Sequence, residues 1–378
     1  MLPFPIISNT TIREKRFYKK FVTSRISLGL LSQDSTNSLY AMGDSSRFGL
    51  GVPFTYFINT ITNVKDVWSN TNWSFVLKND GTYWWSGSSN PFGISTSVTW
   101  SNVSSRFNAF GIIKKMCVSS GAIYVLNTIG EVWAVGGNQY GSYGNGTTTT
   151  SQSFTKLQLT DVKDIFTKDD VIDNLFVLKN DGTLVGSGYN GTNLLGSTYP
   201  QTNTSFVTLN TDINDVYVMY SALFVKKNDG TWYVQGQNSN GQLGNGLTTG
   251  ITDWILLPFS YSTIKSIFSI NSCTHIIGTD NNLYYSGYQT STYPIGGANT
   301  ISAPWNNYMT SFTQVPGTDP SIISQIKDII HFGTSTTYFI TDFKIYGCGN
   351  SGNYSLLPNY GSSKVVIGFQ PLVTPSLS

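Results

Sequence analysis

The sequence predicts an all-β fold, a seven-bladed β-propeller with four-stranded blades and an N-terminal extended arm. Three observations predict it. A glycine closing a short apolar strand recurs seven times, at Gly43, Gly87, Gly136, Gly188, Gly236, Gly287 and Gly349, at intervals of 44 to 62 residues. Twelve positions before five of these stand Phe75, Tyr124, Phe176, Phe224 and His275. Between the two markers, residues 79–82, 180–183 and 228–231 read Asn-Asp-Gly-Thr. An Asp-Gly pair between alternating apolar residues signals a two-residue hairpin, because that turn needs positive φ.

Each unit also has an opening marker. Six are legible: Val64-Lys-Asp-Val67, Ile113-Lys-Lys-Met116, Val162-Lys-Asp-Ile165, Ile213-Asn-Asp-Val216, Ile264-Lys-Ser-Ile267 and Ile326-Lys-Asp-Ile329. A unit therefore runs strand, strand, hairpin, strand, glycine loop, strand. Four short strands in about fifty residues make a propeller blade. One such sheet cannot bury both faces alone, whereas seven in a ring bury each against the next.

Taken in order, residues 1–25 do not match the repeat and are assigned to the arm. Residues 1–11 are apolar and broken by proline. The segment from Arg13 to Arg25 holds six basic residues and one acid. Arg13, Lys15, Arg16, Phe17, Tyr18, Lys19 and Lys20 are its candidate partner-binding residues; the plainer alternative is a solvated lead-in strand or short helix. The propeller is assigned to residues 26–370. Phe21-Val22 falls where the first unit needs an opening strand, and Val365-Val-Ile-Gly-Phe369 where the last needs an outer one. The expectation is that the chain ends meet in one composite blade. The long interval before Gly349 holds an insertion in which Tyr293, Trp305 and Tyr308 are candidate loop contacts, with covering of a blade edge as the alternative. Residues 371–378 read as a tail.

Composition narrows the function classes. The chain has 378 residues and a formal charge of +2; 39% are hydrophobic, 14% aromatic and only 11% charged. A surface dominated by Asn, Ser, Thr, Gly and Tyr is poorly suited to steering nucleic acid or anionic membranes. With +5 assigned to the arm, the ring is expected at −3, which argues against a basic nucleic-acid-binding face. Cys117, Cys273 and Cys348 have no disulfide-like spacing and read as small buried hydrophobes. Nothing resembles a signal peptide, and no apolar run reaches membrane-spanning length.

The strand to Gly followed by Asn and Gly-Gln-Leu-Gly-x-Gly, best seen from Trp232 to Gly246, resembles the regulator-of-chromosome-condensation (RCC1) repeat. The Phe-Val-Leu-Lys-Asn-Asp-Gly-Thr hairpins at Phe75 and Phe176 fit it too. The resemblance spans roughly residues 26–370 and implies the propeller. The family commonly has His-Ser before the inner strand; here Trp73-Ser74, Ala122, Asn174 and Ala222 stand there. Nuclear members of the family are guanine nucleotide exchange factors that touch nucleosomes, plant members sense ultraviolet light through clustered Trp and Arg, and a bacterial branch includes a β-lactamase inhibitor. No motif carrying those activities is present, and no functional residue is transferred.

No catalytic, cofactor or metal constellation is legible. His275 fills an aromatic slot and His331 follows an opening strand; neither has metal-ligand spacing. The Lys-Asp and Asn-Asp-Gly elements repeat from blade to blade, which reads as structural, since a catalytic residue should be unique to one blade. The glycine loops lack the Lys-Ser/Thr end of a phosphate cradle. The sequence-based expectation is a non-enzymatic interaction protein without cofactors. It resembles virion components of bacteriophage tail, fibre or capsid surface, assembled in the host cytoplasm. Its expected partners are other structural proteins through the arm and a host surface protein or glycan, with no nucleic acid and no membrane insertion. The alternatives are a free bacterial adaptor or inhibitor propeller, cytoplasmic or surface-associated, and then an exchange factor or chromatin reader.

Overall fold

The computed structural model describes residues 18–24, 27–33, 35–43, 48–49, 54–70, 72–88, 91–167, 174–219, 222–257, 259, 264–270, 273–289, 307–315, 319–332, 336–341, 345–350 and 365–371. The strands among them form seven antiparallel four-stranded sheets, each a meander in sequence order. Blades 1 to 7 span residues 18–61, 64–102, 113–156, 162–210, 213–256, 264–314 and 326–371. The fold is the β-propeller that the repeats predict.

The first strands surround the axis. Tyr18–Ser24 packs beside Val64–Ser69, Val64–Ser69 beside Ile113–Val118, and Ile113–Val118 beside Val162–Phe166. Val162–Phe166 meets Ile213–Val218, Ile264–Ile270 meets Ile326–Phe332, and Ile326–Phe332 returns to Tyr18–Ser24. The ring closes at that last contact.

Two expectations need correction. The chain ends do not share a blade. Tyr18–Ser24 pairs with Ser27–Ser32 in blade 1, and Val365–Pro371 pairs with Ile345–Asn350 in blade 7. Blade 1 draws all four strands from its own stretch, so it has no vacant edge for the C-terminal strand. Closure rests on packing rather than strand exchange. The boundary at residue 25 also shifts, because the ring begins at Tyr18 and runs through Pro371. The remaining arm, residues 1–17, and the tail from 372 lie outside the described residues.

The core lies between blades. The second strand of blade 3, Ala122–Asn127, is buried along its whole length. Ala122, Tyr124 and Leu126 pack with Ile165, Leu175 and Val177 of blade 4. Ile123 and Val125, on the other side of the same strand, pack with Phe75 and Trp85 of blade 2. A strand covered on both faces reads as a near-continuous apolar run, here from Ala122 to Leu126. Equivalent clusters join blades 1 and 2, 4 and 5, 5 and 6, and 6 and 7.

The glycine loops stitch neighbours together. Asn138, buried and two residues past Gly136, accepts from the Tyr143 amide at 2.9 Å and donates to the Thr147 and Thr149 carbonyls. Asn190 makes the same set of bonds in blade 4, and in blade 5 Asn238 accepts from the Leu243 amide and donates to the Leu247 carbonyl and to Asn245 Oδ1. The loop then reaches the next blade's outer strand, where Asn145 bridges Ser205 and Asn245 bridges Ser311. Gly144 has φ +61, and a Cβ there would lie 2.3 Å from the Phe206 ring of blade 4. Only glycine permits both that conformation and that approach.

Antiparallel order sorts the connections by face. Hairpins between second and third strands lie on one face, with the links between successive blades. Turns between first and second strands lie on the other, with the glycine loops.

Candidate functional site

Six of the ten predicted contact residues lie outside the described residues. Arg13, Lys15, Arg16 and Phe17 lie outside the described residues. Tyr18, Lys19 and Lys20 belong to the first strand of blade 1 rather than to a free arm. Lys20 Nζ is 2.7 Å from Asp66 Oδ1 and 4.7 Å from the Trp68 ring centroid, so it is committed to blade 2. Tyr293 and Trp305 lie outside the described residues. Tyr308 is a residue of the outer strand Asn307–Gln314, opposite Tyr288, and not of the loop.

What the fold assembles instead is a mouth at one end of the axis. All seven first strands carry a β-bulge directly after their first paired residue. The bulged residues are Lys19, Lys65, Lys114, Lys163, Asn214, Lys265 and Lys327. A bulge leaves its residue out of the ladder and re-aims the side chain. Lys65, Lys114, Lys163, Asn214, Lys265 and Lys327 are exposed.

The next residue in each strand is Lys20, Asp66, Lys115, Asp164, Asp215, Ser266 or Asp328. In three blades the aspartate folds back on the bulge. Asp66, Asp164 and Asp328 accept from the amides of Val67, Ile165 and Ile329, each at 2.8 Å. The sequence-based reading of these aspartates as structural accounts for that bond. Where this position holds lysine, it crosses to the next blade. Lys20 pairs with Asp66, and Lys115 with Asp164 at 2.8 Å, its ammonium 4.2 Å from the Phe166 ring centroid. These pairs are about one-third exposed, so each contributes modestly.

Two bulge lysines also span blades. Lys114 Nζ donates to the Lys163 carbonyl at 2.8 Å, and Lys265 Nζ to the Ser324 carbonyl at 3.2 Å. The ammonium groups of Lys65 and Lys163 have no partner among the described residues. Lys114, Lys115, Lys163, Asp164, Asn214 and Asp215 line one cavity of about 360 Å³, with Phe166 and Leu178 as its apolar wall. Side chains from blades 3, 4 and 5 thus converge on one space.

This arrangement revises the charge reading. With three basic residues and one acid in 1–17, the ring carries 19 of the 22 Lys and Arg and 19 of the 20 Asp and Glu. Its formal charge is zero rather than −3, and the mouth holds eight lysines against four aspartates. Sequence reasoning missed this cluster. The signal was present in the lysine that recurs at one place in the opening markers, and in Tyr18-Lys-Lys-Phe21, which matches Ile113-Lys-Lys-Met116.

His275 and two of the cysteines lie within the blades. His275 is buried in the aromatic slot, with ring centroids 5.2 Å from Tyr285 and 6.2 Å from Phe339. Burial pushes the Cys273 thiol up to about 12 and the Cys117 thiol up to about 11. The His331 and Cys348 side chains lie outside the described set. Among the described residues no group of three or more His, Cys, Asp or Glu is placed to hold a metal ion. No helix among them is long and apolar enough to cross a membrane.

No protein-family model matches the chain, and no curated protein matches it by sequence. Solved structures do. Prp20p from Saccharomyces cerevisiae, described with its binding to Gsp1p and histones, matches with a TM-score of 0.73 at 13% identity, over 92% of this chain and 88% of that one. Yeast RCC1 (Prp20) in complex with Kap60 matches with a TM-score of 0.70 at 13% identity, over 97% and 91%. Human WBSCR16 matches with a TM-score of 0.59 at 13% identity, over 96% and 84%. The chain is thus a propeller of the RCC1-like fold. At this identity the likeness defines the fold alone.

Proposed function

We propose that this chain is a non-enzymatic structural propeller of a virion, a tail, fibre or capsid-surface component held to the particle by its N-terminal arm. The observation that carries the reading is where the chain's appendages join the ring. Residue 17 joins at the lysine mouth, because Tyr18 begins its strand there. The 290–306 connection, with Tyr293 and Trp305, links the third and fourth strands of blade 6 and so joins at the opposite face. Appendages on opposite faces suit a body fixed on one side and displayed on the other. The sparse charge, 11% of residues, supports a surface made for packing and adhesion, including contact with a host protein or glycan.

The alternative is a free adaptor or inhibitor propeller, which needs no arm. The test is removal of residues 1–17, which leaves every described strand in place. The truncated chain is expected to melt like the full chain, stay soluble and stop co-sedimenting with large particle assemblies. Undiminished co-sedimentation would assign the partner site to the ring and replace the virion-anchor reading with the adaptor one.

A further inference from the structure

The lysine mouth has a property that packing does not require. In three of the seven bulges the following aspartate closes back through its amide bond, and in six of the seven the bulged residue is lysine. Eight of the ring's 19 basic residues stand on two neighbouring positions of the first strands. Two of the four aspartates there, Asp66 and Asp164, are already paired with Lys20 and Lys115. Lysine is a compact point charge with rotatable donors, suited to phosphate oxygens approached from several directions.

Shape limits the ligand. The lysines stand at one equivalent position of separate blades around a single axis, an arrangement about a centre rather than along a linear track. Farther out on the same face, the hairpins and inter-blade turns carry Asp80, Asp161, Asp181, Asp212, Asp229 and Asp280. The carboxylates of Asp80, Asp181 and Asp229 are held ionised by hydrogen bonds from Thr82, Thr183 and Thr231. Each of these three also has a lysine two positions before it, Lys78, Lys179 and Lys227, so the hairpins are charge-balanced and the lysine excess lies in the mouth. A small anion fits there: on the side of blades 3 to 5, Lys114, Lys115 and Lys163 line the 360 Å³ cavity, which is of ordinary ligand size.

We infer that this mouth is a binding site for a small molecule carrying several phosphate groups, seated on the propeller axis. Lys65, Lys114, Lys163, Lys265 and Lys327 supply the charge, and Phe166 and Leu178 form an apolar wall beside it. The inference does not rest on the virion reading.

The test uses the full chain and inorganic tripolyphosphate, titrated calorimetrically at 150 mM and 500 mM salt. The expected result is a single saturable site, weaker at the higher salt. Lys65→Gln and Lys163→Gln should each weaken it by about three- to tenfold while melting like the wild type, since neither ammonium has a partner among the described residues. Lys156→Gln, on an outer strand and paired with Glu131, should bind like the wild type. Orthophosphate should bind at least about tenfold more weakly, having fewer charges for the lysines to share. Absence of saturable binding, or unchanged binding by both mouth variants, overturns the proposal. Tighter binding of single-stranded oligonucleotides, increasing with length, overturns it in favour of a nucleic-acid track.

Discussion

Replacing Asn238 by alanine tests how much of the blade geometry depends on one buried amide. Its Oδ1 accepts from the Leu243 amide at 2.9 Å, and its Nδ2 donates to Asn245 Oδ1 and the Leu247 carbonyl, both at 2.8 Å. The side chain is fully buried, so no bulk water replaces these bonds after truncation. Three hydrogen bonds at about 1 kcal/mol each give about 3 kcal/mol, and the stranded Leu243 amide adds about 1 kcal/mol more. That is a large share of the roughly 5–15 kcal/mol typical of a folded protein. The loop also carries the bridge from Asn245 to Ser311, so loosening it weakens one of the links between blades 5 and 6. Equilibrium urea unfolding measures the loss from the midpoint shift and the slope. Ser239→Ala, exposed in the same loop, is the control and should change stability by less than about 0.5 kcal/mol. A loss below about 1 kcal/mol for Asn238→Ala would refute the view that this amide holds the loop.

Other substitutions probe the remaining contacts. Gly244→Ala places a Cβ 2.3 Å from the Phe312 ring at φ +66 and should destabilise by about 2 kcal/mol or more in the same assay. Deleting residues 1–25 removes the first strand of blade 1 and should lower the melting temperature sharply, in contrast to deletion of 1–17. Cys117 and Cys273 should resist iodoacetamide at pH 8 in the native protein and react on unfolding, as peptide mapping will show. Because both thiols are raised in the fold, the unfolded chain deprotonates first, and stability should fall as pH rises from about 9 through 11. At the acid end, Asp80, Asp181 and Asp229 are held below their ordinary value by their threonines. The unfolded chain therefore takes up protons first, and stability should fall below about pH 4, with the triple Asp→Asn variant flattening that limb.

The fold was legible because repetition averages over local ambiguity. The closing glycines, the hairpins and the aromatic slot place three strands of most blades. His275 was readable as a core residue because its register, not its chemistry, places it between Tyr285 and Phe339. Closure was not legible. The spacing correctly makes strands of residues 21–22 and 365–369, but it cannot say which sheet each joins. That depends on whether blade 1 has a free edge, and the register from Tyr18 to Ser24 fills it. The hub role of Asn138, Asn190 and Asn238 escaped notice because glycine dominates the loop's appearance. Their shared offset of two residues from the closing glycine was the available signal.

The mouth shows why uniqueness is a poor guide to function in a closed ring. Catalysis needs asymmetry, because donor, acceptor and reacting bond each require a different group. Binding a charge on a symmetry axis needs the reverse, the same group delivered many times to one point. Lys65, Lys114, Lys163, Lys265 and Lys327 are about fifty or more residues apart in the chain, and the ring sets them at one equivalent position of its first strands. A bulge that recurs for structural reasons supplies an exposed position in each of blades 2 to 7 at no further conformational cost. The aspartate that seals the bulge and the lysine that occupies it are therefore under different constraints, although they are adjacent in the same repeated marker. Asn214 separates the two. Blade 5 keeps the bulge without the lysine, so the charge at the other six is not a requirement of the backbone.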